Sequence, residues 1–408
     1  MDNHELIPHL FRTEYRKIIS VLCKLFGIEH IEIAEDIVSD TFLLASETWG
    51  LKGLPKNPAA WLYTVSKNKT KDFLKHNAVF KKEIYLNIKQ TATNYEKIEI
   101  DLSAKNINDS QLQMMFAICH PSISKEAQIG LSLNILCGFG VEEISNAFLI
   151  SREATYKRLA RAKEQLRMEK VIIELPAQTE INNRLETVLT TVYLLFSEGY
   201  YSISQNTTLR KDLCIEAMRL NLMLIENEQT NIPSANALLS LMCFHSSRFE
   251  ARTDQNGELI LYEDQDESLW NKDLIVKGEY YLYQASTGQK LSKYHLEAAI
   301  AYWHTHKNDT VEKWENILQL YNKLLQIEYS PIAALNRTYA LSKANGKQEA
   351  IVEAEKLNLI NDHFYFTLLG ELYRNIDNKK AKMNFQLAHK LAKTKNDKQT
   401  LQAKINSF

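Results

Sequence analysis

The stretch VEEISNAFLISREATYKRLARAKEQLR, residues 141–167, decides how the chain is read. Glu142–Phe148 suits a short helix and Leu149-Ile150 a turn. Ser151 supplies an N-cap whose oxygen satisfies the first amides of a second helix, Arg152–Arg167. Within that second helix Thr155, Leu159, Ala162 and Leu166 recur at helical spacing and form the buried stripe. The remaining side chains are polar and mostly basic. Arg152, Glu153, Tyr156 and Lys157 project from the first turns, and Arg158, Arg161 and Lys163 follow. A helix–turn–helix lays one helix across a DNA backbone and puts the next into the major groove. The first four side chains then face base edges, and the later three face phosphates.

Outward from this stretch, 408 residues with 45% hydrophobic and 24% charged side chains describe an ordinary globular chain of two to four domains. Only 12 Gly and 7 Pro favour long helices over a sheet, whose turns need both, so the predicted class is all-α. A formal charge of -1 excludes attraction of the whole molecule to nucleic acid and leaves local patches. Residues 52–82 carry Lys52, Lys56, Lys67, Lys69, Lys71, Lys75, Lys81 and Lys82 against Asp72 alone. Residues 29–47 are acidic, with Glu29, Glu32, Glu35, Asp36, Asp40 and Glu47. Adjacent surfaces of opposite sign imply two different partners.

Residues 8–77 read as four helices. Phe11–Phe26 stops at Gly27, and Ile33–Trp49 buries Ala34, Ile37, Val38, Thr41, Ala45 and Trp49. That burial leaves Asp36, Asp40, Leu43 and Glu47 exposed, an acidic face with an apolar spot that suits docking on another protein. Gly50–Pro58 is expected to be a loop, and Asn57 to cap a helix over Ala59–Asn77 with Pro58 at its first position. On that helix Lys67, Lys71 and Lys75 recur every four residues, in line for a DNA backbone. Trp61 and Tyr63 lie near the loop, where aromatics can stack on unpaired bases; as a single side chain, Trp61 reads better as core.

Residues 78–106 are polar and read as a linker, and helical pairs resume from Leu175. Hairpins beginning near 292, 331 and 362 suggest tetratricopeptide-like repeats. In the last, Leu369, Gly370 and Tyr373 face Ala381, Phe385 and Ala388. One β-hairpin is predicted within ARTDQNGELILYED (251–264), turning at Asn256-Gly257.

Neither a signal peptide nor a membrane span is expected, and the scattered cysteines (Cys23, Cys119, Cys137, Cys214, Cys243) read as reduced, buried thiols of a cytoplasmic protein. Glu263, Asp264, Asp266 and Glu267 form the densest carboxylate cluster, read as a cap for a helix over Ser268–Tyr283 with solvated neighbours. His120-Pro121 reads as a helix stop. With no glycine-rich phosphate loop, no catalytic residue, metal or cofactor is expected.

The order FRTEYRKIISVLCKLFG, AEDIVSDTFLLASETW, NPAAWLYTVSKNKTKDFLKH, linker and helix–turn–helix resembles the extracytoplasmic-function (ECF) sigma factors of RNA polymerase over residues 8–77 and 107–170. AICHPSISKEAQIGLSLNILCGF (117–139), FSEGYYS (196–202), RKDLCIEAMRL (210–220) and LYEDQDESLW (261–270) resemble the subgroup with a long tetratricopeptide-like C-terminal extension.

The resemblance implies domains over 1–77, 107–172 and 173–408. It implies that Glu35, Asp36, Asp40 and Phe42 dock on the clamp helices of the largest subunit of core RNA polymerase, whose β flap is a further partner. Lys52, Lys56, Asn57, Trp61, Lys67, Lys71 and Lys75 would contact the −10 element, and Arg152, Glu153, Tyr156, Lys157, Arg158 and Arg161 the −35 element of promoter DNA. The extension would regulate through a peptide or protein ligand. This chain uses lysine where the family is expected to use arginine, a better bidentate reader of guanine, so no promoter sequence carries over. The residues alone also suit a helix–turn–helix regulator with a repeat-type sensor domain that does not replace a sigma subunit.

Overall fold

The computed structural model describes all residues except 1–2, 77–99, 202–206, 253–259, 261, 289 and 394. Among the described residues it is all-α and without strands. The chain forms two compact units, residues 1–231 and 232–408.

The first unit contains α1 (Asn3–Phe26), α2 (Ile31–Lys52), α3 (Pro58–His76), α4 (Ala104–Ile118), α5 (Lys125–Leu131), α6 (Val141–Phe148), α7 (Arg152–Met168), α8 (Ile181–Tyr200) and α9 (Thr207–Glu226). A 3-10 turn over Ile28–His30 joins α1 to α2, and a π-helical turn over Ser132–Leu136 follows α5. As expected, Gly27 ends α1; its N–H reaches Cys23 O at 2.8 Å. All six residues of the α2 stripe are buried.

The loop expected over Gly50–Pro58 is shorter than predicted, because Gly50, Leu51 and Lys52 continue α2. The stop is Gly53, whose φ of 81° puts its N–H on Trp49 O, a backbone that strains any other residue. Asn57 caps α3 as predicted, its Oδ1 accepting from Ala60 N at 3.0 Å. The linker expected over 78–106 falls mostly outside the described residues; α4 begins within it, at Ala104. The stop at His120-Pro121 holds, since α4 ends at Ile118 and His120 Nδ1 turns to Ser122 Oγ at 2.8 Å.

The compact units divide at 231/232, so α8 and α9 belong with the helices before them. The reason is burial: α8 and α9 place Leu185, Val188, Leu195, Leu213 and Leu220 in the core of the first unit. Thr191 Oγ1 there meets Gln128 Oε1 at 2.9 Å.

The second unit contains α10 (Pro233–Ser246), α11 (Lys272–Ala285), α12 (Lys293–Trp303), α13 (Val311–Ile327), α14 (Pro331–Ala344), α15 (Lys347–Leu357), α16 (His363–Tyr373), α17 (Asn378–Leu391) and α18 (Lys395–Asn406). Hairpins begin at Lys293, Pro331 and His363, within a residue of the expected 292, 331 and 362. The turn of the expected β-hairpin, Asn256-Gly257, lies outside the described residues. Its flanks are 3-10 helices, Phe249–Ala251 and Tyr262–Asp264, rather than strands, and Ile260 N–H meets Arg252 O at 2.8 Å between them. The helix expected from Ser268 starts instead at Lys272 under an Asn271 cap, because Asp266 caps a separate turn, Glu267–Leu269. All five cysteines are buried thiols. Burial pushes the thiols of Cys119, Cys137 and Cys243 up to about 12.

Small residues set the closest helix approaches. A Cβ on Gly370 would sit 2.7 Å from the Phe385 ring, and one on Gly278 2.5 Å from Phe244. Gly370→Ala should therefore cost about 1–3 kcal/mol through overpacking, read as a lower urea midpoint with helix content unchanged. An unaltered midpoint would mean that α16 and α17 do not need this contact.

Candidate functional site

The helix–turn–helix forms as the sequence dictates. Leu149 takes a left-handed φ of 52° to break α6, and Ser151 Oγ accepts from Ala154 N at 3.1 Å to start α7. Thr155, Leu159, Ala162 and Leu166 are buried, with Leu159 beside Gly130 of α5. Arg152, Glu153, Tyr156, Lys157 and Arg161 are exposed on α7, Tyr156 at 65%. Lys157 pairs with Glu153 at 2.6 Å, one turn apart. Arg158 is half-buried with its guanidinium 5.9 Å from the Phe148 ring, so it braces the turn as well as facing outward.

On α2, Asp36, Asp40, Leu43 and Glu47 are exposed on one side as expected. Phe42 is not on that surface. It is 5% exposed, edge-on to Phe11 at 5.0 Å, because α1 covers a wider arc of α2 than the predicted stripe. On α3, Lys71 and Lys75 are exposed and Lys67 is half-buried; Lys52, Lys56 and Asn57 are exposed around the short loop. Lys75 lies 3.8 Å from Asp72, and Lys69 3.4 Å from Asp40. Trp61 is half-buried and edge-on to Trp49 at 5.3 Å.

Contacts between distant helices join these surfaces. Lys163 of α7 forms an ion pair with Glu35 of α2. Arg167 Nη2 donates to both oxygens of Glu32 at 2.8 Å, and its Nε to Glu29 O at 3.1 Å. Tyr156, Lys163 and Arg167 are seven and four residues apart, so they share one face of α7. The first half of that face is open and the second half is held by the acidic end of α2. Glu35 is partly enclosed there. Burial first, and the Glu35 charge next, push the Tyr15 phenol and the Cys23 thiol well above their usual values. The acidic face is therefore divided: Glu32 and Glu35 turn towards α7, and Asp36, Asp40 and Glu47 face outward. Only a contact across 128 residues distinguishes the two sets, and local periodicity cannot show one.

No group of three or more His, Cys, Asp or Glu side chains able to hold a metal occurs among the described residues. The carboxylate cluster is dispersed: Glu263 accepts from Tyr339 Oη at 2.9 Å, while Asp266 accepts from Ser268 N. No helix among the described residues is long and apolar enough to cross a membrane.

Residues 184–286 match the model of a family of unknown function, DUF6596. Over 343 residues the chain is 30% identical to an uncharacterized protein of Rhizobium meliloti, spanning 83% of this chain and 80% of that protein. No solved structure matches the chain.

The Lys163–Glu35 pair makes a direct prediction. Lys163→Glu should destabilise the first unit, and adding Glu35→Lys should restore it, with a coupling on the order of 0.5–3 kcal/mol in a double-mutant cycle of urea unfolding. Additive effects would mean that the pair contributes nothing to holding α7 on α2.

Proposed function

The chain belongs to one family with the uncharacterized Rhizobium meliloti protein, and within it we propose a sigma factor of the extracytoplasmic-function type. In this reading the chain binds core RNA polymerase in the cytoplasm, selects promoters, and leaves all catalysis to the polymerase. The observation that carries it is the separation of three surfaces on one unit. They are an open, basic N-terminal half of α7 behind a left-handed turn, a lysine row on α3, and an outward carboxylate set on α2.

Each surface has a task of matching chemistry. Arg152, Glu153, Tyr156 and Lys157 occupy the turns of α7 that enter a major groove, with Arg158 and Arg161 beside the phosphates of the −35 element. Lys67, Lys71 and Lys75, with Lys52, Lys56 and Asn57 at the loop, follow the backbone of the −10 element. Trp61 supports that surface from the Trp49 side instead of leaving the core. Asp36 and Asp40 meet the basic clamp helices of the polymerase, joined by Glu35 when it parts from Lys163. Phe42 keeps the docking helix in shape from within. The second unit, a tetratricopeptide-like array, regulates this activity.

Full docking of α2 and a duplex laid along all of α7 both require the Glu32/Glu35–Arg167/Lys163 contacts to open. The same pairing favours a second reading, a helix–turn–helix regulator that binds duplex DNA without polymerase, since part of its acidic face is already satisfied within the chain. The outward Asp36 and Asp40 separate the two readings.

In-vitro transcription with sigma-depleted core polymerase on a promoter library should give start-site selectivity only when the chain is added. Asp36→Lys with Asp40→Lys should abolish both this selectivity and co-purification with core polymerase while helix content is retained. Undiminished polymerase binding by that variant, or tight duplex binding with no effect on transcription, would reject the sigma reading. Truncation after Asn231 should change transcriptional output, whereas equal output with and without the second unit would remove its regulatory role.

A further inference from the structure

Inside the second unit, α13, α14 and α16 enclose a cavity of about 750 Å³. Its lining is aromatic and cationic. Tyr262, His304, Trp314 and Tyr339 form a continuous aromatic wall, with successive ring centroids 5.1, 5.8 and 5.4 Å apart. Five cationic side chains line the cavity against two carboxylates, Glu263 and Glu371.

The cations are not all neutralised by the protein. Arg248 is 8% exposed, its guanidinium 5.5 Å from the Tyr262 ring, and its Nε is buried without a hydrogen-bond partner. No carboxylate pairs with it among the described residues. On the same ring, at 5.1 Å, sits the ammonium of Lys313, a side chain only 2% exposed. That ammonium is held by Tyr262 Oη at 3.1 Å and His306 O at 2.6 Å, both neutral groups. Lys343 stands over Trp314 and Tyr339 and pairs with Asp309 at 3.0 Å and Glu263 at 3.5 Å, which leaves Arg248, not Lys343, as the cation without a carboxylate. Burial, together with Arg248 and Lys313, drives the His304 imidazole down to about 3, so the ring adds a neutral Nδ1 that is shielded and unpartnered. Collecting cations in a half-desolvated site costs free energy that the protein's own carboxylates do not fully offset, and such arrangements concentrate at functional sites.

We propose that this cavity binds a small organic anion, a flat apolar body carrying a carboxylate or phosphate. The anionic head meets Arg248 and, across the aromatic wall, Lys343, and the body lies against Trp314, Tyr339 and Tyr262. The volume falls in the range of about 300–1,000 Å³ typical of small-molecule pockets, which favours a compact ligand over an extended peptide. The site does not depend on the transcriptional reading, and its binding is measured without polymerase or DNA.

The test is equilibrium binding and thermal unfolding of the full chain with indole-3-acetate and phenyl phosphate. Neutral indole-3-acetamide, inorganic phosphate and an acidic peptide serve as comparisons. The aromatic anions should bind saturably and raise Tm, the amide and inorganic phosphate should not, and Arg248→Gln should weaken binding at least tenfold. Lys343→Gln, at the more accessible side of the cavity, should also weaken it and guards against a folding defect in the Arg248 variant. No saturable binding of either aromatic anion at millimolar concentration, equal binding of the amide, binding of the acidic peptide alone, or unchanged affinity in both folded variants would each overturn the proposal.

Discussion

A buried carboxylate holds the first unit together. Glu216 of α9, 8% exposed, accepts from Arg16 of α1 at 2.5 Å and from Arg219 Nε at 2.7 Å. Arg219 continues to Leu136 O at 2.6 Å, so the π-helical turn is tied into the same network. A buried ion pair gains little over apolar packing, but losing one partner strands the other charge in low dielectric, commonly at a cost of about 3–5 kcal/mol. The network joins residues 200 apart in sequence. It makes α8 and α9 part of the same compact unit as α6 and α7. A cut between α7 and α8 would therefore strand Arg16 and bare the Leu185–Val192 face.

Within that scaffold, charge is used twice. The near-neutral total conceals an acidic helix and a basic helix whose inner ends neutralise each other, Glu32 and Glu35 against Arg167 and Lys163. Their outer ends stay available, with Asp36 and Asp40 on one side and Arg152 and Arg161 on the other. Of these two pairs Arg167–Glu32 is the more exposed and the more screened by water and salt, whereas Lys163–Glu35 is nearly as enclosed as Arg16–Glu216.

What the sequence revealed was local. Ser151, the turn at Leu149 and the Thr155–Leu166 stripe all lie within one or two helical turns of each other, and caps and periodicity encode such features directly. The hairpin starts near 292, 331 and 362 were legible for the same reason, as was the Gly370–Phe385 contact, from the pairing of a small residue with a ring. Misreadings came where tertiary cover overrides local preference. The resemblance, not the helical stripe, places Phe42 on a docking face, and Phe11 of α1 covers it. Gly50 looked like a break because glycine is a poor helix former, yet Trp49 anchors that end of α2 in the core and the helix runs on to Gly53. The Lys163–Glu35 pair and the Arg248 cavity depend on how distant helices meet, and no window of sequence contains them.

The placement of the five thiols has a practical consequence. Four of them, Cys23, Cys119, Cys137 and Cys214, are spread through the first unit, and Cys243 alone is in the second. Burial keeps them out of reach of alkylating reagents. Each thiol can react only when its surroundings open. The order in which they become labelled under mild denaturant would time the opening of each unit separately, so the native chain carries its own probes and needs no engineered ones.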